Sequence, residues 1–416
     1  MSTVPRRLHV CGYSARAAVQ AAVRCGFECE GWDCFGDRDA ISLARWNRID
    51  GLRRDDVRDL LTRPPGVVLP CGGLENRGSL WTRLSERHRL IGPDRHQLRK
   101  LRDPRWLSGF CSPADSSMRF PECCFDRRNF VDWLRFLRGR ESSGRCLVKR
   151  VHSGGGVGVR AFGTDDLTTR ASFAIERGEY LQRFVAGDEY SVVFQCCQTP
   201  KLLFASRPFP EGTGSHPRFI YRGSIGPVTL PPQAAAACHA FASQISAAIG
   251  YEGVLQFDLI VAMADAQPYL LEVNPRWSGS MELAELLSPG SILEEMMAGE
   301  FDPRSEDREG RGSNVRGAAA KAILYADADF VIDEGLSDLM MAAVLPRGNQ
   351  RFDPSQQRFS LADVPVVDAR ATAGSPICTV IGIGSAEELP REFEREVDRW
   401  RAAIDEAKKR FADGTI

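Results

Sequence analysis

The chain has 416 residues, of which 43% are hydrophobic and 26% charged. That is long enough for two or three domains with separate cores, and too apolar for a disordered or fibrous protein. Lys and Arg number 54 against 55 Asp and Glu, a formal net charge of -1, so no global field exists to attract nucleic acid or an anionic membrane.

The 13 cysteines run from Cys11 to Cys378 without a CxxC, and an odd, dispersed set of this kind fits buried thiols in a reducing cytosol. Cys25, Cys29 and Cys34 have no histidine close behind them to complete a zinc site. Arg6 and Arg7 are not followed by a secretory apolar region, and no stretch approaches a membrane-spanning run. A cytoplasmic protein with neither nucleic-acid nor membrane partners is the expectation.

Along the chain, LHVCGYSARAAVQAAVRCGFECEGWD predicts a strand, a turn at Gly12, an alanine-rich helix stopping at Gly26, and a second strand ending near Asp33. The apolar run Val67 to Pro70 leads into the loop Cys71 to Asn76, as expected of a parallel sheet with its loops gathered at the strands' carboxyl ends. These features define a small α/β domain over 1–100. Its first turn lacks GxGxxG, which favours a wall facing substrate over a dinucleotide site.

A central region, 101–316, alternates strand and helix patterns, and its last segment, Glu300 to Arg316, reads as a charged, exposed linker. The remainder, 317–416, predicts a small β-rich domain with strands at AAAKAILYA and CTVIGIG and a charged amphipathic helix from Glu387 to Phe411.

Three motifs carry chemistry. In CLVKRVHSGGGVGVRAF, a strand bearing Lys149 enters a loop with Gly154, Gly155, Gly156 and Gly158, whose backbone N–H groups can approach phosphate oxygens closely. No GxxxxGK[ST] is present, so this is not a Walker loop. In YLQRFVAGDEYSVVF, a strand through Gln182, Arg183 and Val185 meets a turn at Gly187 and Asp188 and continues from Glu189. Such a hinge offers edge backbone groups to an adenine and a carboxylate to ribose hydroxyls.

The third motif, GVLQFDLIVAMADAQPYLLEVNPRWSG, is a hairpin of two apolar strands. Glu272 and Asn274, two apart, face one side, and pairing across the hairpin brings Asp258 beside them. An all-oxygen set suits a hard cation such as Mg²⁺, with Mn²⁺ as the alternative. Arg276 shares that face and can grip a phosphate or carboxylate.

A lysine strand with a glycine lid, a hinge with a trailing glutamate, then Asp followed by Glu-x-Asn-Pro-Arg: in this order the set resembles the ATP-grasp superfamily. The resemblance implies an α/β (α+β) ATP-grasp fold with an N-terminal Rossmann-like pre-ATP-grasp domain and a small β-rich C-terminal domain. It also implies ATP and Mg²⁺ as cofactors. Lys149 would contact the α- and β-phosphates under the Gly154, Gly155 and Gly156 lid, Gln182, Arg183 and Val185 the adenine, and Glu189 the ribose. Asp258, Glu272 and Asn274 would hold Mg²⁺, and Arg276 would be catalytic, stabilising an acyl phosphate. An earlier phosphate-binding cation is expected from LRKLRDP, where Lys100 is preferred for its compact ammonium and Arg102 is the alternative.

The C-terminal stretch looks like the last domain of biotin carboxylase, and the whole resembles predicted ATP-dependent carboligases related to that enzyme. This implies a ligase joining a small-molecule carboxylate to an amine, in one-carbon cofactor biosynthesis, with a homodimer as the default assembly. Biotin carboxylases place a glutamate base where this chain has Ser280 and an arginine where it has Ile323, with Glu282 as a displaced candidate base. A bicarbonate-using carboligase and a nucleotide-binding regulator without turnover are the alternatives. Protein-kinase chemistry is excluded by the lack of HRD and DFG motifs. The Cys71 to Asn76 loop and the Arg207 to Pro227 insertion, with Arg218, Tyr221 and Arg222, are the expected substrate determinants.

Overall fold

The computed structural model describes residues 7–112, 117–140, 145–162, 176–209, 219–288, 291–297, 317–344 and 358–412. Three sheets position the site. The first is five-stranded and wholly parallel, in the order Arg45–Arg48, Glu28–Asp33, Arg7–Cys11, Val67–Pro70, Arg89–Leu90. Its central strand buries Leu8 and Val10, and helix Arg16–Arg24 lays Ala18, Val19, Ala21 and Ala22 into the same apolar cluster. Asp33, at the carboxyl end of its strand, ties down the following turns by accepting from the N–H groups of Ala15, Phe35 and Gly36 and from Trp46 Nε1. That end of the sheet is thereby fixed as the wall from which its loops project.

The second sheet is four-stranded and antiparallel, in the order Cys123–Cys124, Glu179–Arg183, Cys146–Arg150, Arg160–Phe162. Helix Phe130–Arg140 backs it with Phe130, Leu134 and Leu137. The third has eight strands, in the order Pro268–Asn274, Gly253–Ala262, Gly187–Cys196, Lys201–Pro208, Gly223–Gly226, Ala318–Tyr325, Pro376–Gly384, Arg358–Ala362. Every pair in it is antiparallel. Helix Pro232–Ile249 packs Phe241 and Ile245 onto Phe194 and Phe257 of this sheet, a layer of large apolar side chains that holds the metal-facing hairpin rigid.

The segment around Gly187 is a hinge between sheets: Arg183 pairs with Cys146 in the four-stranded sheet while Gly187 pairs with Ala262 in the eight-stranded one. A side chain at Gly187 would meet the Val261 carbonyl oxygen at 2.1 Å, so this close entry into the second sheet requires glycine. Beyond 317, Phe330–Val331 and Arg370–Ala371 form a two-stranded sheet, while the three long strands extend the eight-stranded sheet, and Phe209 and Ile225 join their core. A helix, Glu334–Ala342, also lies among them, with Asp333 accepting from the Leu336 N–H as its cap. The terminal helix is Leu389–Ala412, close to its expected span. The Glu300 to Arg316 linker and Arg218 lie outside the described residues.

Candidate active site

The register of the hairpin sets the centre of the site. Asp258 pairs with Glu272 and Gln256 with Asn274, and a bulge follows Asp258. Asn274 Nδ2 donates to Asp258 Oδ2 at 2.8 Å and to Glu272 Oε1 at 3.2 Å, so the three expected oxygen-bearing groups do meet. The other Asp258 oxygen accepts from Ser191 Oγ at 2.6 Å and Gln256 Nε2 at 2.8 Å. Burial and the neighbouring Glu272 push the Asp258 carboxyl up from its ordinary value. Glu272 goes the other way: burial opposes its charge, but the Arg102 and Lys149 cations outweigh that and hold it low.

Three cations face these acids. Lys149 Nζ donates to Gln182 Oε1 at 3.3 Å, joining the lysine strand to the hinge strand. Burial depresses its ammonium, against the pull of Glu272. Arg276 donates to Asn274 Oδ1 at 3.1 Å and to Glu75 Oε1 at 3.0 Å. Arg102 is the most connected. It donates to Glu272 Oε2 at 3.5 Å, Val273 O at 3.0 Å, Asn274 Oδ1 at 3.3 Å, Asn76 Oδ1 at 3.1 Å and Ser153 O at 2.6 Å.

Of the two candidates weighed in LRKLRDP, then, the structure brings Arg102 and not Lys100 to the acids. The helix Arg95–Leu101 ends between them, and Lys100 turns outward to lie 5.8 Å from the Trp106 ring centroid. A planar guanidinium satisfies several acceptors at once from a buried position, which a single ammonium cannot.

The glycine loop is closed over this centre. Arg102 holds its Ser153 carbonyl, and Tyr221 N–H donates to Gly155 O at 2.9 Å. Gly155 and Gly156 have φ of 62° and 76°, and a side chain on Gly156 would collide with the Phe219 carbonyl oxygen at 1.5 Å. The residues expected at an adenine are Gln182, Arg183 and Val185. Gln182 and Val185 are buried, while Arg183 forms an ion pair with Glu122 and stacks 5.3 Å from the Tyr269 ring centroid. Glu189 is exposed and pairs across the sheet with Ile260.

Residues 117–280 match the family described as an ATP-grasp domain. Across nearly its whole length the fold is similar to those of solved biotin carboxylases and ligases. The biotin carboxylase domain of Hydrogenobacter thermophilus 2-oxoglutarate carboxylase, determined as a dimer with MgADP, ADP and bicarbonate, superposes with a TM-score of 0.67 at 15% identity, covering 96% of this chain and 89% of that one. Phosphoribosylamine–glycine ligase of Thermotoga maritima gives 0.63 at 18%, covering 92% and 94%. L-amino acid ligase of Bacillus licheniformis gives 0.62 at 16%, covering 95% and 97%. No curated protein matches the sequence. At these identities the likeness speaks for the fold and no further.

The donor set fits a hard cation. Two enclosed carboxylates close enough to share one amide donor carry more negative charge than that amide relieves, and Mg²⁺ characteristically takes one or two carboxylates with the rest of its shell from phosphates and water. As placed, Asn274 turns Nδ2 to the carboxylates and Oδ1 to the arginines, so ligation through Oδ1 requires rotation of the amide. No group of three or more His, Cys, Asp or Glu able to hold a metal occurs among the described residues.

Glu282, the displaced candidate base, is locked elsewhere. It accepts from Arg16 Nη1 and Lys321 Nζ, both at 2.5 Å, and although burial opposes its charge, those cations hold it below its ordinary range. Ser280 is buried and accepts from Ser206 Oγ at 3.1 Å. Sequence reasoning missed Ser191 and Gln256 as supports of Asp258. Strand pairing alone, which sets Ser191 opposite Asp258, was the signal that could have found the first.

Proposed function

We propose that this chain is an ATP- and magnesium-dependent ligase that activates a small-molecule carboxylate as an acyl phosphate, which an amine then attacks with release of ADP and phosphate. The observation that carries the reading is the meeting of Lys149, Arg102 and Arg276 with Asp258, Glu272 and Asn274 beneath a closed glycine loop. Cations placed on the phosphate path and a guanidinium beyond them are what an in-line transfer from ATP to a carboxylate needs.

Lys149 and the backbone N–H groups at Gly154, Gly155 and Gly156 hold the ATP phosphates, with Gln182, Arg183 and Val185 around the adenine and Glu189 at the ribose. Asp258, Glu272 and Asn274 would hold Mg²⁺, which would supply positive charge to neutralise the negative charge developing on the transferred phosphoryl group. Arg276 orients the acid and stabilises the acyl phosphate. Mn²⁺ is the alternative metal, the setting is one-carbon cofactor biosynthesis in the cytoplasm, and the assembly is a homodimer.

The bicarbonate-using reading is disfavoured because Glu282 is enclosed between Arg16 and Lys321, leaving no free base beside Ser280. Radiolabelled bicarbonate separates the two: the ligase reading expects no label in any acceptor, and ATP-dependent incorporation would reverse the preference.

A further inference from the structure

Glu75 is a carboxylate that neither the nucleotide nor the metal pair uses. It stands on the short turn Leu74–Asn76 that follows strand Val67–Pro70, and its side chain is 0% exposed. Oε1 accepts from Arg276 Nε, whereas Oε2 is buried without a hydrogen-bond partner. An enclosed carboxylate oxygen left without a donor is costly, and a structural ion pair would be expected to satisfy both oxygens.

The unsatisfied oxygen belongs to a group that borders the reacting centre. A side chain at Gly154 of the glycine loop would stand 3.5 Å from Glu75 Oε1, 3.7 Å from Asn76 Nδ2 and 3.9 Å from Arg276 Nη2. The loop, the carboxylate and the guanidinium therefore face one another across the room of about one atom. Arg276 reaches Asn274 from the other side, so Glu75 is one residue removed from the metal-facing hairpin.

We propose that Glu75 Oε2 is the docking point of the nucleophile, and that the nucleophile is a primary amine arriving as a cation. This rests on the ligase reading and names its second substrate class. The two members of one ion pair divide the substrates by charge: the Arg276 guanidinium takes the acid, and Glu75, an acceptor only when ionised, takes the amine. Held there, the ammonium gives one proton to Glu75 Oε2, and the neutral amine attacks the carbonyl carbon of the acyl phosphate gripped by Arg276. The C–N bond forms as the C–O bond to phosphate breaks, and phosphate leaves with the second proton, so that a positioned step replaces a bimolecular encounter. An anionic second substrate such as bicarbonate is repelled from the same oxygen.

The test uses the full chain loaded with MgADP and measures binding of methylamine, ethanolamine and putrescine by ligand-observed NMR. In the wild type, ethanolamine binds and its neutral isostere ethylene glycol does not. In Glu75→Gln, which keeps an acceptor for Arg276, amine affinity falls by about ten- to hundredfold, the worth of a charge-assisted hydrogen bond. A melting curve checks that the variant is folded, and the wild-type discrimination between ethanolamine and ethylene glycol stands even if it is not. Amine binding unchanged in Glu75→Gln, or absent from the wild type, overturns the proposal. Hydroxylamine trapping of acyl phosphate in the wild type, across a panel of acids, reports separately on the ligase reading: hydroxamate formation with Glu75-independent amine binding sinks the docking site alone, and Glu75-dependent amine binding without hydroxamate sinks carboxylate activation alone.

Discussion

At the scale of single residues, the site turns on who compensates whom. Arg102 and Lys149 hold the Glu272 carboxyl low, so removing either cation leaves that carboxylate without one of its counterions. Arg102→Met is expected to lower Mg²⁺-dependent ADP release by roughly a hundredfold or more, the usual loss for one preorganised donor, whereas Lys100→Ala stays within about twofold because its ammonium lies over Trp106. Steady-state kinetics of the two variants check this, and equal losses would contradict the geometry. Glu272→Ala is expected to reduce turnover by orders of magnitude while weakening the Mg²⁺ dependence. The Asp258, Glu272 and Asn274 constellation was legible from period-two alternation and one turn, because a hairpin of that length has few registers. The choice between Lys100 and Arg102 was not, since it depends on where a helix ends relative to a sheet, which no local pattern specifies.

At the scale of elements, the glycine loop is clamped at both ends of its tip, by Arg102 on Ser153 and by Tyr221 on Gly155. The two positive-φ glycines should answer differently to alanine. Gly155 has open space around a built side chain, so Gly155→Ala costs only its backbone conformation, about 1 kcal/mol. Gly156→Ala meets the Phe219 carbonyl and must lift the loop off residues 219–221. The expected result is a KM for ATP that rises several-fold more in Gly156→Ala than in Gly155→Ala; the reverse order would mean that the loop works in another position. Loop and strand were both readable from the sequence, but the partner of the loop was not, because Phe219 to Tyr221 is brought there by tertiary packing. The hinge at Gly187 was readable, but the two sheets it joins were not, for the same reason: turn chemistry is local, while the pairing of Arg183 with Cys146 and of Gly187 with Ala262 is not.

At the scale of the molecule, one buried ion cluster joins the parallel sheet's first helix, the helix Gly279–Leu287 and the last strands of the eight-stranded sheet. Arg16 pairs with Glu282 and Asp363, Lys321 pairs with Glu282, and Asp39 accepts from the N–H groups of Asp363 and Val364. Breaking such a cluster leaves a charge enclosed without its counterion, so Glu282→Gln is expected to destabilise by about 3–5 kcal/mol and to lower the melting temperature, yet to retain ADP release within a few-fold below it. Abolished turnover in a folded variant would instead make Glu282 a base.

Acid should loosen the same junction. Burial opposes the charge on Asp363, but Arg16 overrides it and holds the carboxyl at about 2, against an ordinary 3.8. A depressed acid contributes stability that is present above its ordinary value and lost as pH falls through its folded one. Melting temperature should therefore decline between those two values in the wild type, and Asp363→Asn should flatten that part of the profile; an unaltered slope would remove Asp363 from the account. The strand on which Lys321 stands was visible in the sequence, but the strand Arg358–Ala362 that leads to Asp363 was not, nor was the cluster, because Arg16 and Asp39 stand hundreds of residues before their partners.

The central claim is carboxylate activation, and its most direct test is Mg²⁺-dependent ADP release against a panel of carboxylic acids, each with and without a primary amine. ADP release that requires one acid, and reaches full rate only with an amine, is the predicted result. ADP release indifferent to every acid, or stimulated by bicarbonate alone, would contradict it.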